Sequence, residues 1–397
     1  MTSHEHAAPV ARRLLTPGVL MLLALVGAAM IFAIIRFAFG LSVATNLDQQ
    51  HPWGIWIAID VATGVALAAG GFTSAALVYV FNRNRFHSLV RPALLTAMLG
   101  YTFVGMGLMA DLGRYYNIWH PALPSMWQGN SVLFEVGMCV MCYLTVLYIE
   151  FLPLVCERFI GDTGRPRLAR LCARIDRVVR RTMFVFILAG VVLSCLHQSS
   201  LGHLMVIAPT KMHALWYTPL LGLLFLLSAA AVGFPMIIVE SLWSSWSFSR
   251  QPEMHLLREL ARFIPPLLGV YLAFIIGNMA VRETYGELRT VSPQTVCFGI
   301  EVAAGVVLPL VMLLMDRVRR SPRLLLTACL LIVFGVAFNR INVFLVAYQP
   351  PFAERAYFPS VGEIVVTTGL MAGLVLVYRV IVTYLPVLTP TSRSVAT

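Results

Sequence analysis

Charge is what this sequence has least of. Of its 397 residues only 12% are Asp, Glu, Lys or Arg, about half the share of a soluble globular domain. A chain this poor in charge, 59% apolar and with a mean hydropathy of +0.82, cannot keep its surface in water, which excludes the soluble enzyme folds. Cysteine is sparse too: the 7 present are odd in number and scattered, giving neither a disulfide framework nor a loop with metal-ligand spacing. Cys139 and Cys142 make a C-x-x-C pair, but inside an apolar run, where small residues at i and i+3 read as helix packing. There is no iron-sulfur ligand run, phosphate-binding loop or nucleophile elbow, so any electron donor is expected on another subunit.

What is abundant is long apolar sequence. Crossing the hydrocarbon core takes about 20 apolar residues as a helix, and ten stretches qualify: 17–41, 54–82, 92–113, 130–157, 182–201, 214–241, 263–281, 293–316, 324–348 and 360–386. The fold class expected is all-α, a polytopic membrane protein of ten helices. Ten spans put both termini on one side. Arg36, Arg340 and Arg379 lie within spans, and the other Lys and Arg divide 21 to the terminal side and 5 to the opposite side. By the positive-inside rule both termini are cytoplasmic. The formal charge of +11 is thus topological and implies no nucleic acid. The eight arginines of the fourth connection, Arg158 to Arg181, face anionic membrane lipid as a solvated surface. The first run is too long for a signal h-region and lacks a small-residue cleavage site, so it is expected to stay as an anchor.

Ionisable residues inside spans are costly and read as functional by default. With a rise of 1.5 Å per residue, Arg36, Asp60, Asp111, Arg114, Glu135, His197, Glu301 and Arg340 all fall in the outer half. Glu150, Glu240 and Arg379 fall in the inner part, and Tyr101 lies near the middle. This suggests a charged cluster opening outward, with acidic groups leading inward; pairing of Arg36, Asp60, Glu301 and Arg340 to hold helices together is the alternative. Asp111-Leu-Gly-Arg114-Tyr115-Tyr-Asn117 and Asn130 to Glu135 flank an outer loop rich in Tyr, Trp and Pro. A polar-rimmed aromatic pocket of this kind suits a flat, amphipathic quinone head group.

Of nine histidines, His4, His6, His51, His87, His120, His203, His213 and His255 lie in termini, loops or membrane edges. Only His197 is clearly inside a span. A b-type haem with two axial histidines needs a facing pair, so no haem is expected, and His197 reads as a proton-transfer group. Two weak matches suggest an internal repeat: His51 to Trp56 with His213 to Trp216, and Phe134-Glu135-Val136 with Ile300-Glu301-Val302. The copies would be two parallel four-helix bundles, 54–201 and 214–348, with flanking helices 17–41 and 360–386 between a cytoplasmic N-terminus (1–16) and tail (387–397).

The runs HPWGIWIAID (51–60), YVFNR (79–83), LVRPALL (89–95), GYTFVGMGLMADLGRYYN (100–117), NSVLFE (130–135), HQSSLG (197–202) and AYFPSVGE (356–363) resemble the NrfD family, most of all its members in respiratory nickel-iron hydrogenases. The resemblance covers nearly the whole chain. It implies a quinone-reactive subunit of the bacterial inner membrane, without haem or iron-sulfur cluster of its own, that takes electrons from a periplasmic iron-sulfur subunit. Nickel-iron hydrogenase small and large subunits are the further partners, and menaquinone or ubiquinone the substrate. Carried over, the family's polar positions fall on Asp111, Arg114 and Glu135 near the quinone and on Tyr101, His197 and Glu240 in the proton path; by their own place in the sequence Tyr115, Asn117 and His197 join the first set and Glu135 and Glu150 the second. Readings from other classes are a secondary transporter, favoured by repeats and buried charge, and a passive anchor for a peripheral redox complex. The same role in another NrfD-type assembly is the nearest alternative.

Overall fold

The computed structural model describes residues 9, 14–160, 163–353 and 355–388. Most of the segments 1–16 and 387–397, with His4, His6, Arg12 and Arg13, lies outside the described residues. Among the described residues ten helices are long and apolar enough to cross a membrane: α1 Pro17–Phe39, α2 Trp56–Val80, α3 His87–Asp111, α4 Val132–Phe159, α5 Pro166–Val206, α6 Leu221–Ser247, α7 Met254–Val281, α8 Pro293–Leu314, α9 Pro322–Val346 and α10 Val361–Tyr384. The described residues contain no β-strand, only an isolated bridge between Met212 and Tyr348. The chain is a polytopic integral membrane protein, as its apolar runs require. We call the side where α1 starts and α10 ends the terminal face.

Eight of the ten expected spans agree within seven residues at each end; α7 starts nine residues earlier than expected, and α5 runs 41 residues. The first turns of α5 carry Arg167, Arg170, Arg174 and Arg177, which are exposed. That segment is helical but charged, so it continues α5 beyond any hydrocarbon layer and leaves no mark in hydropathy.

The most enclosed helices are α2 and α6. They pack on each other, α2 also against α3 and α9, and α6 against α5, α7 and α9. Within each half the last two helices pair, α4 with α5 and α8 with α9, while α1 lies along α10. Lipid tails are as apolar as leucine, so close backbone approach replaces the hydrophobic drive here. On α5 and α6, a Cβ at Gly202 would stand 2.7 Å from the Gly222 Cα. Gly305 of α8 and Gly335 of α9 meet in the same way.

α2 is not a regular helix. It is π-helical over Trp56–Thr63 and Ala76–Val80 and interrupted at Ala68 and Ala69. α8 and α9 each contain one further π-helical turn, Ala303–Val307 and Asn342–Val346. Such turns release backbone groups and re-aim side chains, and those of α2 and α9 flank buried polar residues described below.

At the terminal face ion pairs tie the helix ends. Asp316 accepts from Arg258 at 2.8 Å and Arg320 at 2.6 Å, and these two guanidiniums hold its carboxyl down to about 2. Gly202→Val should lower thermal stability in detergent by about 1–3 kcal/mol through the backbone collision. Gly137→Ala, with open space around it, should leave the midpoint unchanged in the same melt; equal melts for both variants would contradict this packing.

Candidate functional site

Away from the terminal face, α1, α2, α3 and α10 enclose a cluster of charge. Arg36 is 1% exposed and donates Nε to the Ala110 carbonyl at 2.7 Å and Nη2 to the Leu112 carbonyl at 2.6 Å. The last carbonyls of a helix have no partner within it, and the guanidinium of one helix here closes the end of another. It also lies over the ring of Tyr115, 5.7 Å from the centroid, and Tyr115 donates to the Phe37 carbonyl. Asp111 ends α3 within electrostatic reach of Glu363, Arg36 and Asp60. Its Oδ1 is buried and has no hydrogen-bond partner among the described residues. Asp60 accepts from Thr367 at 2.6 Å and fits against Gly107, where a Cβ would stand 2.7 Å from its own.

Glu363 is the fixed point of this cluster, 0% exposed. It closes a capping box with Ser360, whose Oγ accepts from the Glu363 N–H while the Ser360 N–H donates to Glu363 Oε2 at 2.8 Å. The same carboxylate accepts from Tyr357 Oη and, at 3.1 Å, from the Asn46 N–H. Trp56 Nε1 donates to the Glu363 carbonyl, and Tyr357 Oη accepts from the Ile55 N–H. Outside the spans, burial and this carboxylate push the Tyr357 hydroxyl well above its ordinary value. Gly54 passes so close that a Cβ there would lie 2.8 Å from Glu363 Oε1.

A second polar group sits deeper, between α2, α3, α4 and α5. Tyr101 Oη and His197 Nε2 share a short hydrogen bond, both side chains fully buried. The ring of Tyr143 lies 4.7 Å from Tyr101 and 5.2 Å from His197 by centroids. Because α2 breaks at Ala68 and Ala69, the Val65 carbonyl accepts from Gln198 Nε2 at 2.8 Å and from Tyr101 Oη at 3.4 Å. Towards the terminal face, Glu240 of α6 accepts from Tyr378 of α10 at 2.8 Å, and Glu150 of α4 lines a cavity.

The second half holds its own buried group. Glu301 accepts from Trp216 at 3.0 Å and from Asn339 and Asn342 at 2.7 Å each. Arg340 donates to Asn339, to Ser228 and to the Phe225 carbonyl, with its guanidinium 3.6 Å from the Phe225 ring centroid.

These contacts correct two expectations. Arg36, Asp60, Glu301 and Arg340 make no direct ion pair with one another among the described residues: Arg36 binds carbonyls, Asp60 binds Thr367, and Glu301 and Arg340 meet through Asn339. Glu135 does not join Asp111; it stands exposed in the first turn of α4, where Ser200 of α5 donates to it at 2.5 Å. Arg114 is exposed on the loop and Asn117 half-buried in a short 3-10 turn with Tyr115. Glu363, Tyr357 and Thr367 were missed as site residues, although Ser360-Val-Gly-Glu363 carries the capping signature. Tyr143 gave no signal, being one aromatic in an apolar run.

A family model described as polysulphide reductase, NrfD, matches residues 43–351. This chain belongs to the NrfD family. The matched segment holds α2 to α9, so Arg36, Glu363 and Thr367 come from the two flanking helices. Across 97% of its length the chain is 33% identical to the probable Ni/Fe-hydrogenase 2 b-type cytochrome subunit of Escherichia coli, covering 96% of that protein. It is 25% identical to the integral membrane subunit of menaquinone reductase from Nitratidesulfovibrio vulgaris, over 90% of this chain and 91% of the relative. A selenate reductase subunit of Mesobacillus selenatarsenatis is 22% identical over 93% of each chain. NrfD-type chains are thus membrane subunits of several respiratory oxidoreductases.

The name b-type cytochrome raises haem for the first of these relatives. The residues here do not fit a bis-histidine haem. His197 is the one described histidine inside the bundle, its Nε2 is engaged by Tyr101, and its ring is enclosed by Tyr101 and Tyr143. His51, His87, His120, His203, His213 and His255 lie in connecting segments or at helix ends.

Glu363→Gln should place an amide against three donors, Tyr357 Oη and the N–H groups of Ser360 and Asn46, where a carboxylate accepts them all. A buried donor left unpaired costs about 1–3 kcal/mol, so the variant should melt earlier and be cut more readily by protease near residues 45–55. Unchanged digestion would contradict this role for Glu363.

Proposed function

We propose that this chain is the quinone-reactive membrane subunit of a respiratory oxidoreductase in the bacterial inner membrane, most specifically of a nickel-iron hydrogenase. The terminal face is cytoplasmic, as the 21 to 5 division of Lys and Arg requires. Electrons come from an iron-sulfur subunit docked on the opposite, periplasmic face, which would in turn contact the hydrogenase small and large subunits. The chain supplies no redox cofactor. The two halves, 54–201 and 214–348, are read as parallel repeats, supported by the recurring pairs α4–α5 and α8–α9.

The observation that carries this reading is Asp111. A buried carboxylate oxygen without a partner among the described residues loses the stabilisation that every other acid in the cluster obtains. Bonding a quinone oxygen satisfies it. Arg36 beside it offsets negative charge as two electrons reach the quinone, which is where preorganised positive charge lowers the barrier. The half-buried rings of Tyr115 and Tyr357 would flank the head group, with Arg114 and Asn117 at the loop rim. Quinone, two electrons and two protons make quinol, so protons must follow each electron pair. Tyr101 and His197 pass protons at mid-membrane, with Glu150 and Glu240 on the terminal side as donors. Electrons from one face and protons from the other separate charge across the membrane.

Asp111→Asn keeps the shape of the side chain but cannot exchange a proton. In the intact complex it should cut quinone reduction roughly 10²–10³-fold while reduction of an artificial acceptor by the peripheral subunits stays at the parental rate. Parental quinone reduction by this variant would overturn the assignment.

A further inference from the structure

A cavity of about 270 Å³ lies between α2, α3, α4 and α5 on the terminal side, far above the roughly 10–15 Å³ that one water needs. Its mouth is polar. Glu157 accepts from Arg91 at 2.9 and 3.0 Å and from Arg180 at 2.8 Å, and Tyr79 and His87 complete the rim. Its inner end is reached by Glu150 and Gly71. The Glu150 carboxyl makes no hydrogen bond among the described residues, although it is half-buried.

A glycine lies between this end and the next polar group. A Cβ at Gly190 would stand 3.2 Å from Glu150 Oε1 and 3.6 Å from the Tyr143 ring, so both side chains lie against Gly190 and a larger residue there would intrude between them. Gly71, packed against Ala97, lies 3.7 Å from Tyr143 Oη by the position of its missing Cβ. Tyr143 in turn packs edge-on against Tyr101 and lies beside His197. The alternative start, Glu240, is less open. Its carboxyl is taken by Tyr378, the cavity below it is about 50 Å³, and the gap above it towards Ala68 has about 0 Å³ for water.

We infer that the cavity at Glu150 is the entrance for the protons of quinone reduction, with Glu150 as first acceptor and Tyr143 as the relay to Tyr101 and His197. The inference rests on the quinone-reductase reading. Only protons move: Glu150 takes one from cavity water, and Tyr143 passes its hydroxyl proton inward as it receives that of Glu150. The ion pairs of Glu157 tie the first turns of α3 and the body of α5 to the end of α4 around the mouth.

The test uses the intact complex in sealed liposomes, following quinone reduction together with a membrane-potential dye. Glu150→Gln should lower kcat by about a hundredfold and abolish the potential, with the quinone KM unchanged. Glu150→Asp should restore most of both. Parental turnover and potential in Glu150→Gln overturn the proposal, whereas a parental complex that reduces no quinone overturns the reading beneath it. Should Glu150→Gln fail to assemble, Leu94→Cys on the cavity wall decides. A membrane-impermeant methanethiosulfonate added from the terminal side should label it beyond the parental chain and slow turnover, and a cysteine left unmodified contradicts a water-filled entrance.

Discussion

A charge in the hydrocarbon layer is tolerated only where protein atoms replace the water it has lost. Most of what distinguishes this chain from a plain helical anchor follows from that constraint. Arg36 is held by the carbonyls that end α3, Glu301 by three side-chain donors, and Glu363 by a hydroxyl and two backbone N–H groups. Each arrangement ties its helix to another helix or to a connecting segment, so the polar groups help fix which parts of the chain meet. Among the described residues of the outer cluster Asp111 alone keeps a buried oxygen without a partner, and on the proposed reading a quinone completes the set there.

The flanking helices acquire a purpose in this picture. The family match ends before α10 and begins after α1, yet the cation beside Asp111 comes from α1 and the carboxylate that fixes the α9–α10 connection comes from α10. These helices lie along each other and close the cluster on the side away from α6. The irregular α2 serves the interior: its break frees the Val65 carbonyl for Gln198 and Tyr101, the latter bonded to His197.

The spans and their number were legible in the sequence, because an apolar run of about 20 residues is a local property. The partners of the charges within them were not. Arg36 bonds to main-chain carbonyls, which carry no residue identity, and Asp60 bonds to Thr367, whose side chain is ordinary in an apolar run. Glu135 and Asp111 share a loop and a depth but point to different helices, a matter of rotation that a single amphipathic face does not fix when both sides of a helix are apolar. The first turns of α5 escaped because a solvated charged helix has no hydropathy signal. Glu363 was within reach of the capping signature, and Tyr143 was not within reach of anything.

The central claim is that quinone binds beside Asp111, between the end of α3 and the start of α10. Photolysis of the intact complex with an azidoquinone, followed by peptide mapping, tests it most directly. The account predicts labelled peptides around residues 105–117 and 355–367, displaced by excess native quinone. Displaceable labelling confined to α6 to α9, or to peptides at the terminal face, would contradict it.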